Sequence, residues 1–319
     1  MRWLKARAGA GEPARGADWL RTEPWRNASI PVDVRDVPTM LSVEERQLLY
    51  VLARDYVLGD RTVVDAGCFI GGSTIALASG LDENPRAAGA RSIHAYDLFQ
   101  LDGAYKHAYP GLVEGIEVGD SMRPRFEELL GTRLDRVNVH EGDICGQQWG
   151  GDPIDVLFID ICKSWDINDY MVKEFFPKLT PGRSVVIQQD LIHEWLPYIT
   201  MTMGLFSDSF ELIGVAPPCS AIYLHTRPIS HEDVPPRLDA LSDARKLELF
   251  ERGCAPFSGE DRAVIECSRA VLLVNLGRPE EAASHLTATA AAYPDSERIN
   301  YIRREVGRWL EPQLSQERP

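Results

Sequence analysis

Residue types able to do chemistry are concentrated in one stretch, Val63-Val-Asp65-Ala-Gly67-Cys68-Phe-Ile-Gly71-Gly72-Ser73-Thr74. A β-branched run ends there in a carboxylate, and the glycines that follow let backbone approach a ligand closely. A helix opening at Ser73 would aim its first N–H groups at the same place. Further carboxylates end apolar runs downstream: Asp97 after His94-Ala-Tyr96, Asp143 after Val137-Asn-Val-His140-Glu-Gly142, and Asp160 after Ile154-Asp155-Val-Leu-Phe-Ile159. Asp97 is placed to accept two hydrogen bonds from ribose hydroxyls. Asp143 suits an adenine amino group, with Ile144 packed on the ring. Any one of these acids alone reads as a helix cap or a solvated turn residue; at successive strand ends beyond a Gly-rich turn they read as a nucleoside-binding rim. The dinucleotide fingerprint G-x-G-x-x-G is not met, because Cys68 and Phe69 follow Gly67. Nor does a Gly-Lys-Ser/Thr follow, so this is not a P-loop.

Groups able to move a proton cluster after the fourth and fifth strands. They are Lys163, Asp166 and Asp169, then Asp190, His193 and Glu194. Asp190 and His193 stand at i, i+3 and would share one face of a helix. The carboxylate could then orient the imidazole and stabilise its charged form, making His193 a general base. His94 and His140 fall inside strands and read as structural. His107 lies with Tyr105 and Tyr109 in the 99–119 connection, which is too long for a tight turn and reads as a substrate-covering loop.

Alternating elements must position these groups. Ser42 and Glu45 make a capping-box pattern, and Leu48, Leu49, Leu52 and Tyr56 follow at helical spacing. Strands are expected over 62–65, 92–97, 137–140, 154–160 and 184–187. Helices are expected over 73–81, 125–130 (with Asp120 as its cap) and 167–179. Two more strands, 210–215 and 221–225, are joined through Pro217-Pro218 and would close the sheet as an antiparallel edge. Strands alternating with helices indicate an α/β protein with a doubly wound, mostly parallel sheet. Residues 1–35 mix Gly, Pro, Ala and Arg without a period and read as a loose arm that docks through Trp3, Trp19 and Trp25. After Pro228 the chain turns Ala-, Leu-, Glu- and Arg-rich. There Ala270-Val-Leu-Leu-Val-Asn-Leu-Gly277-Arg-Pro-Glu-Glu-Ala282 resembles one tetratricopeptide-type helical hairpin. A single unit is not an array, so the segment reads as a helical appendage packed on the sheet or on a sister subunit.

The motifs Asp65-Ala-Gly67 through Thr74, Asp97, Glu141-Gly-Asp143, Asp155 to Asp160, and Phe176-Pro-Lys-Leu-Thr-Pro181-Gly182 before Val185-Val-Ile187 resemble those of class I S-adenosylmethionine-dependent methyltransferases. Within that class the chain is most similar to the macrocin-type branch of sugar and natural-product O-methyltransferases, over roughly residues 41–226. The resemblance implies a seven-stranded Rossmann-like methyltransferase fold over 41–228, an arm over 1–40 and a small all-helical region over 229–319. It implies S-adenosylmethionine as cofactor, S-adenosylhomocysteine as product, and O-methylation of a small polar acceptor. Gly67, Cys68, Gly71, Gly72 and Ser73 would hold the methionine portion, Asp97 with Leu98 the ribose, Asp143 and Ile144 the adenine. Asp160 would face the methionine ammonium, the substrate or a metal. The catalytic candidates are His193, Asp190 and Lys163, the last at a position where relatives often carry His. That branch holds a divalent cation with the carboxylate after strand four and an Asp-Asp pair after strand five. Here the pair reads Gln188-Gln189, with Asp190 one residue later, and neutral amides replace carboxylates poorly around Mg²⁺. No metal is expected; were one present, Asp160 and Asp190 would hold it.

Composition narrows the field. With 34 basic against 48 acidic residues the net charge is −14, which opposes sequence-independent nucleic-acid binding. Apolar runs fall far short of the ~20 residues of a membrane span, and no apolar segment follows the basic N-terminus as a secretory signal would require. Six cysteines without a CxxC pair read as reduced thiols of a cytoplasmic protein. The partner expected is a small molecule, with a homo-oligomer formed through the arm or the C-terminal helices. Two other functions fit less well. One is a nucleotide-dependent oxidoreductase, opposed by the missing fingerprint. The other is a retired methyltransferase fold acting through its helices, to which Gln188-Gln189 gives some support.

Overall fold

The computed structural model describes residues 15–87 and 92–316, the last two of these without their side chains. Trp3 and the basic residues around it lie outside the described residues.

Seven strands form one sheet: β1 (Thr62–Ala66), β2 (Ile93–Asp97), β3 (Val137–Glu141), β4 (Ile154–Ile159), β5 (Val185–Gln188), β6 (Phe210–Ala216) and β7 (Ser220–His225). Their order is β3-β2-β1-β4-β5-β7-β6. β3 to β5 are mutually parallel, and β7 runs antiparallel to both β5 and β6. Every residue of β1 and β4 is buried, as expected of parallel strands covered on both faces. The order reverses between β1 and β4, so a crevice opens beyond their carboxyl ends at a topological switch point. This is the doubly wound, mostly parallel seven-stranded sheet expected from the sequence.

The short helices α1 (Ala17–Leu20) and α2 (Val32–Arg35) are followed by α3 (Val43–Val51), which widens into a π-type turn over Leu52–Tyr56. Ser42 and Glu45 make the expected capping box. Then come α4 (Gly72–Glu83), α5 (Gly103–Ala108), α6 (Arg123–Leu130), α7 (Trp165–Phe175) and α8 (Pro197–Leu205). Asp120 does not cap α6. The helix begins after Met122, and the Asp120 carboxylate accepts from the Glu117 N–H instead. The arm is not loose from residue 15 onward: Leu20, Trp25 and Val34 are fully buried, and Trp19 stacks on Tyr56 at 6.1 Å. One-turn helices carry too few residues to show a period, so only the tryptophans signalled this docking.

The arm, α3, α4 and α6 cover one face of the sheet with Val63, Ile93, Val156 and Val185 beneath them. On the other face Val64, Leu157 and Val186 meet α7 and α8. That core runs on without a break into α9 (Asp243–Cys254), α10 (Gly259–Asn275), α11 (Pro279–Ala292) and α12 (Glu297–Gln316). α8 and α9 touch backbone to backbone: a Cβ on Gly204 would strike the Leu249 carbonyl, and one on Gly253 the Thr200 carbonyl. α10 and α11 form the expected hairpin around Gly277. Arg298 of α12 donates to the carbonyls of Ile192 at 3.0 Å and Pro218 at 3.1 Å, pinning the loop that follows β5. Among the described residues, no helix is long and apolar enough to cross a membrane.

Candidate active site

The Gly-rich turn is organised from beneath by Asp65 at the end of β1. Its fully buried carboxylate accepts from the Ser73 hydroxyl at 2.9 Å and the Thr74 hydroxyl at 2.5 Å, which ties the start of α4 to the strand. Burial pushes this carboxyl up to about 6. Between these anchors the chain needs unusual backbone. Gly67 has φ +97°, and a Cβ there would collide with the Asp160 carbonyl. Phe69, with φ +48°, is held left-handed despite its bulk.

Asp97 does the holding. Its Oδ2 accepts from the Phe69 N–H at 2.8 Å, and its Oδ1 from the N–H of Phe99, another left-handed residue, at 2.7 Å. A carboxylate has about four acceptor sites. Each oxygen here spends one on backbone and keeps one for a ligand. Burial raises the Asp97 carboxyl above its ordinary range. Asp143 caps the short turn Ile144–Gly146 by accepting from the Cys145 N–H at 2.9 Å, and Ile144 is buried beside it.

These groups open onto one cavity of about 660 Å³ at the switch point, a size suited to a small-molecule ligand. Gly67, Asp97, Leu98, Asp143, Ile144, Asp160 and Lys163 all line it. Cys68, Gly72 and Ser73 line only a small adjoining recess behind the turn. Gly71 reaches neither; it caps α4 with φ +102° and faces Phe126 and Leu130. The 99–119 connection is pinned at its base by Leu101 and Gly119, whose N–H groups donate to Asp120 and Leu101 at 3.0 and 2.9 Å. From it Gln100, Asp102 and Tyr105 reach the cavity, while His107 and Tyr109 do not line it.

At the other end of the cavity a charged cluster forms between the loops after β4 and β5. Lys163 Nζ donates to Asp160 Oδ1 at 2.9 Å and to Asp190 Oδ2. Burial, with repulsion from Asp190 and against the pull of Lys163, raises the Asp160 carboxyl to about 7. Burial alone would lower the Lys163 ammonium, but Asp160 and Asp190 outweigh it and hold the group well above its usual value. Glu45 of the capping box accepts from the Ser220 hydroxyl at 2.7 Å, and its charge also acts on Asp160.

Asp190 and His193 do not share a helix face. Residues 190–196 form turns, and α8 begins only at Pro197. Asp190 is committed to Lys163, while His193 Nδ1 accepts from the Trp195 N–H at 3.3 Å and lies outside the cavity lining. His94 and His140 hydrogen-bond ring to ring at 2.9 Å, with Trp149 edge-on to His94 at 4.8 Å. Burial pushes His94 down to about 4, so this pair is an uncharged packing element. Sequence reasoning missed Met40 and Met122, which also line the cavity. A methionine in an irregular segment carries no local signal of its neighbours.

No family model and no curated protein matches the chain. Solved structures similar to it include the O-methyltransferase NovP, at 18% identity over 60% of this chain and 84% of that one, with a TM-score of 0.45. Another is the calicheamicin methyltransferase CalS11, at 18% identity over 64% and 89%, with a TM-score of 0.42. A third is the O-methyltransferase TomG from Streptomyces achromogenes, solved in complex with SAM, at 14% identity over 65% and 95% with a TM-score of 0.40.

Proposed function

We propose that the chain is an S-adenosylmethionine-dependent O-methyltransferase acting on a small polar acceptor, a sugar or glycosylated natural product being the class the sequence resembles. The observation that carries this reading is the convergence of Gly67, Asp97, Asp143 and Asp160 on one cavity at the switch point. Two free acceptor sites on Asp97 match the vicinal hydroxyls of a ribose. Asp143 and Ile144 offer an acceptor and an apolar surface to an adenine. Asp160, Asp190 and Glu45 against the single ammonium of Lys163 leave that end of the site net negative, which favours a cationic sulfonium and its ammonium.

The bound cofactor supplies a methyl group already activated by a sulfonium. The protein then has to align an acceptor hydroxyl in line with the carbon–sulfur bond and take up its proton. The new carbon–oxygen bond forms as the carbon–sulfur bond breaks, and the electron pair stays on sulfur as a neutral thioether. Tyr105, Lys163 and Asp166 surround the space left for the acceptor, and the proton passes to the carboxylates held by Lys163. His193, whose Nδ1 accepts from the Trp195 N–H and which does not line the cavity, is given no part in this step. Calorimetric titration with S-adenosylhomocysteine and, separately, NADH tests the reading. Binding of the first alone is expected. Binding of NADH without S-adenosylhomocysteine would overturn the assignment.

A further inference from the structure

The resemblance implies a divalent cation beyond β4 and β5, and the residues that would hold it here are Asp160 and Asp190. The residues present do not fit it. The backbone N–H of Lys163 donates to the Ile161 carbonyl at 2.7 Å, which folds the chain back so that the side chain returns over Asp160. Asp190 takes a left-handed backbone, φ +63°, and aims its carboxylate at the same ammonium. Lys163 Nζ thus stands between the two carboxylates, in the space that a Mg²⁺ would need within about 2.1 Å of both. The neighbouring amides are neutral and give their N–H groups to sulfur atoms. Gln188 donates to Met203 Sδ at 3.6 Å in the core, and Gln189 to Cys219 Sγ at 3.4 Å. Among the described residues no three His, Cys, Asp or Glu side chains come together to hold a metal.

We infer that Lys163 is a built-in cation standing where the metal of the resembled branch would sit, joining Asp160 to Asp190 and presenting its remaining N–H to the acceptor oxygen. An ammonium has three donors. Two are spent on the carboxylates, and the side chain is still 39% exposed and lines the cavity. A metal with several open positions can grip two oxygens at once, whereas one N–H addresses one. The acceptor is therefore a single hydroxyl rather than a chelating pair. This statement about the acceptor rests on the methyltransferase reading; the displacement of metal by lysine does not.

The test uses Mn²⁺ alone, followed by electron paramagnetic resonance on the full chain as wild type, Lys163→Ala, Lys163→Met and Lys163→Ala/Asp190→Asn. Removing the ammonium frees two carboxylates, so K163A is expected to take up Mn²⁺ at least about tenfold more tightly than wild type, and the double variant to lose that gain. K163M, which keeps the bulk without the charge, carries the same expectation should K163A fail to fold. Equal or tighter Mn²⁺ binding by wild type, or no uptake by either single variant, overturns the inference. S-adenosylhomocysteine affinity is measured on wild type in parallel. If that ligand fails to bind while the Mn²⁺ pattern holds, the methyltransferase reading falls and the built-in cation stands. The reverse pattern removes the built-in cation alone.

Discussion

Asp97→Asn is the most informative substitution because the carboxylate serves protein and ligand at once. Each oxygen accepts one backbone N–H, from Phe69 at 2.8 Å and Phe99 at 2.7 Å, and keeps one acceptor site toward the cavity. An asparagine offers one oxygen and one NH₂ group. The NH₂ faces one backbone donor, so that bond is lost; toward the ribose it donates to a hydroxyl oxygen, so a charge-assisted bond there becomes a neutral one. A charge-assisted bond contributes about 1.5–3 kcal/mol, which at the ligand would mean roughly 10- to 150-fold weaker binding. Burial already disfavours the Asp97 charge, and a neutral amide recovers part of that desolvation cost. The lower part of the range, about 10- to 30-fold, is therefore expected. Calorimetry with S-adenosylhomocysteine and its 2′-deoxy analogue separates the two losses. Removing the hydroxyl should weaken binding to wild type and matter much less to the variant. An equal penalty for the hydroxyl in both proteins, or unchanged affinity in the variant, would refute the ribose contact.

Two other substitutions probe stability away from the cavity. Asp155, fully buried at the opposite end of β4, accepts from Arg183 Nε and Nη2, both at 3.0 Å, and from the Leu58 N–H at 3.2 Å. Breaking a buried pair costs about 3–5 kcal/mol, and an asparagine keeps one acceptor, so Asp155→Asn should lose about 2–3 kcal/mol in urea unfolding. Its affinity for S-adenosylhomocysteine should not change; weakened binding at full stability would contradict this placement. His225 is buried against Phe210 at 5.2 Å, and burial pushes its imidazole down to about 4. Between pH 6.5 and 4 the unfolded chain takes up a proton that the native chain refuses, so this residue lowers stability as pH falls through that window. The limit is about 3 kcal/mol for 2.5 pH units. His225→Phe should therefore lose less stability between pH 7 and 4.5 than wild type, and an identical acid slope would show that the imidazole is free to charge.

The strands and the cavity-lining carboxylates were legible because their grammar is local. A β-branched run, an acid and glycines before a helix imply the turn at Gly67, and Asp97, Asp143 and Asp160 inherit their places from the strands they end. What depends on distant contacts was not legible. Lys163 could be seen as a candidate, but its bond to Asp190 spans 27 residues of sequence and is set by the fold of two loops. The i, i+3 spacing of Asp190 and His193 suggested a helix that Pro197 delays, since proline favours the first turn of a helix over its interior. Glu45 was readable as half of a capping box, yet nothing local reveals that its other oxygen meets Ser220, 175 residues away at the start of β7. The tryptophans signalled that the arm docks, but its short helices escaped for a different reason: a one-turn helix leaves composition alone as its trace.

The glycine contacts between α8 and α9 bear on how such a protein can be rearranged. Because the two backbones meet through a glycine on each helix, the partner of α8 is not one of many apolar surfaces but the Leu249 carbonyl of α9, as the Thr200 carbonyl of α8 is the partner of Gly253. Exchanging everything past residue 228 for another sequence would leave Gly204 facing a gap or a clash. A transplant of this region succeeds only if the helix ahead of the junction travels with it.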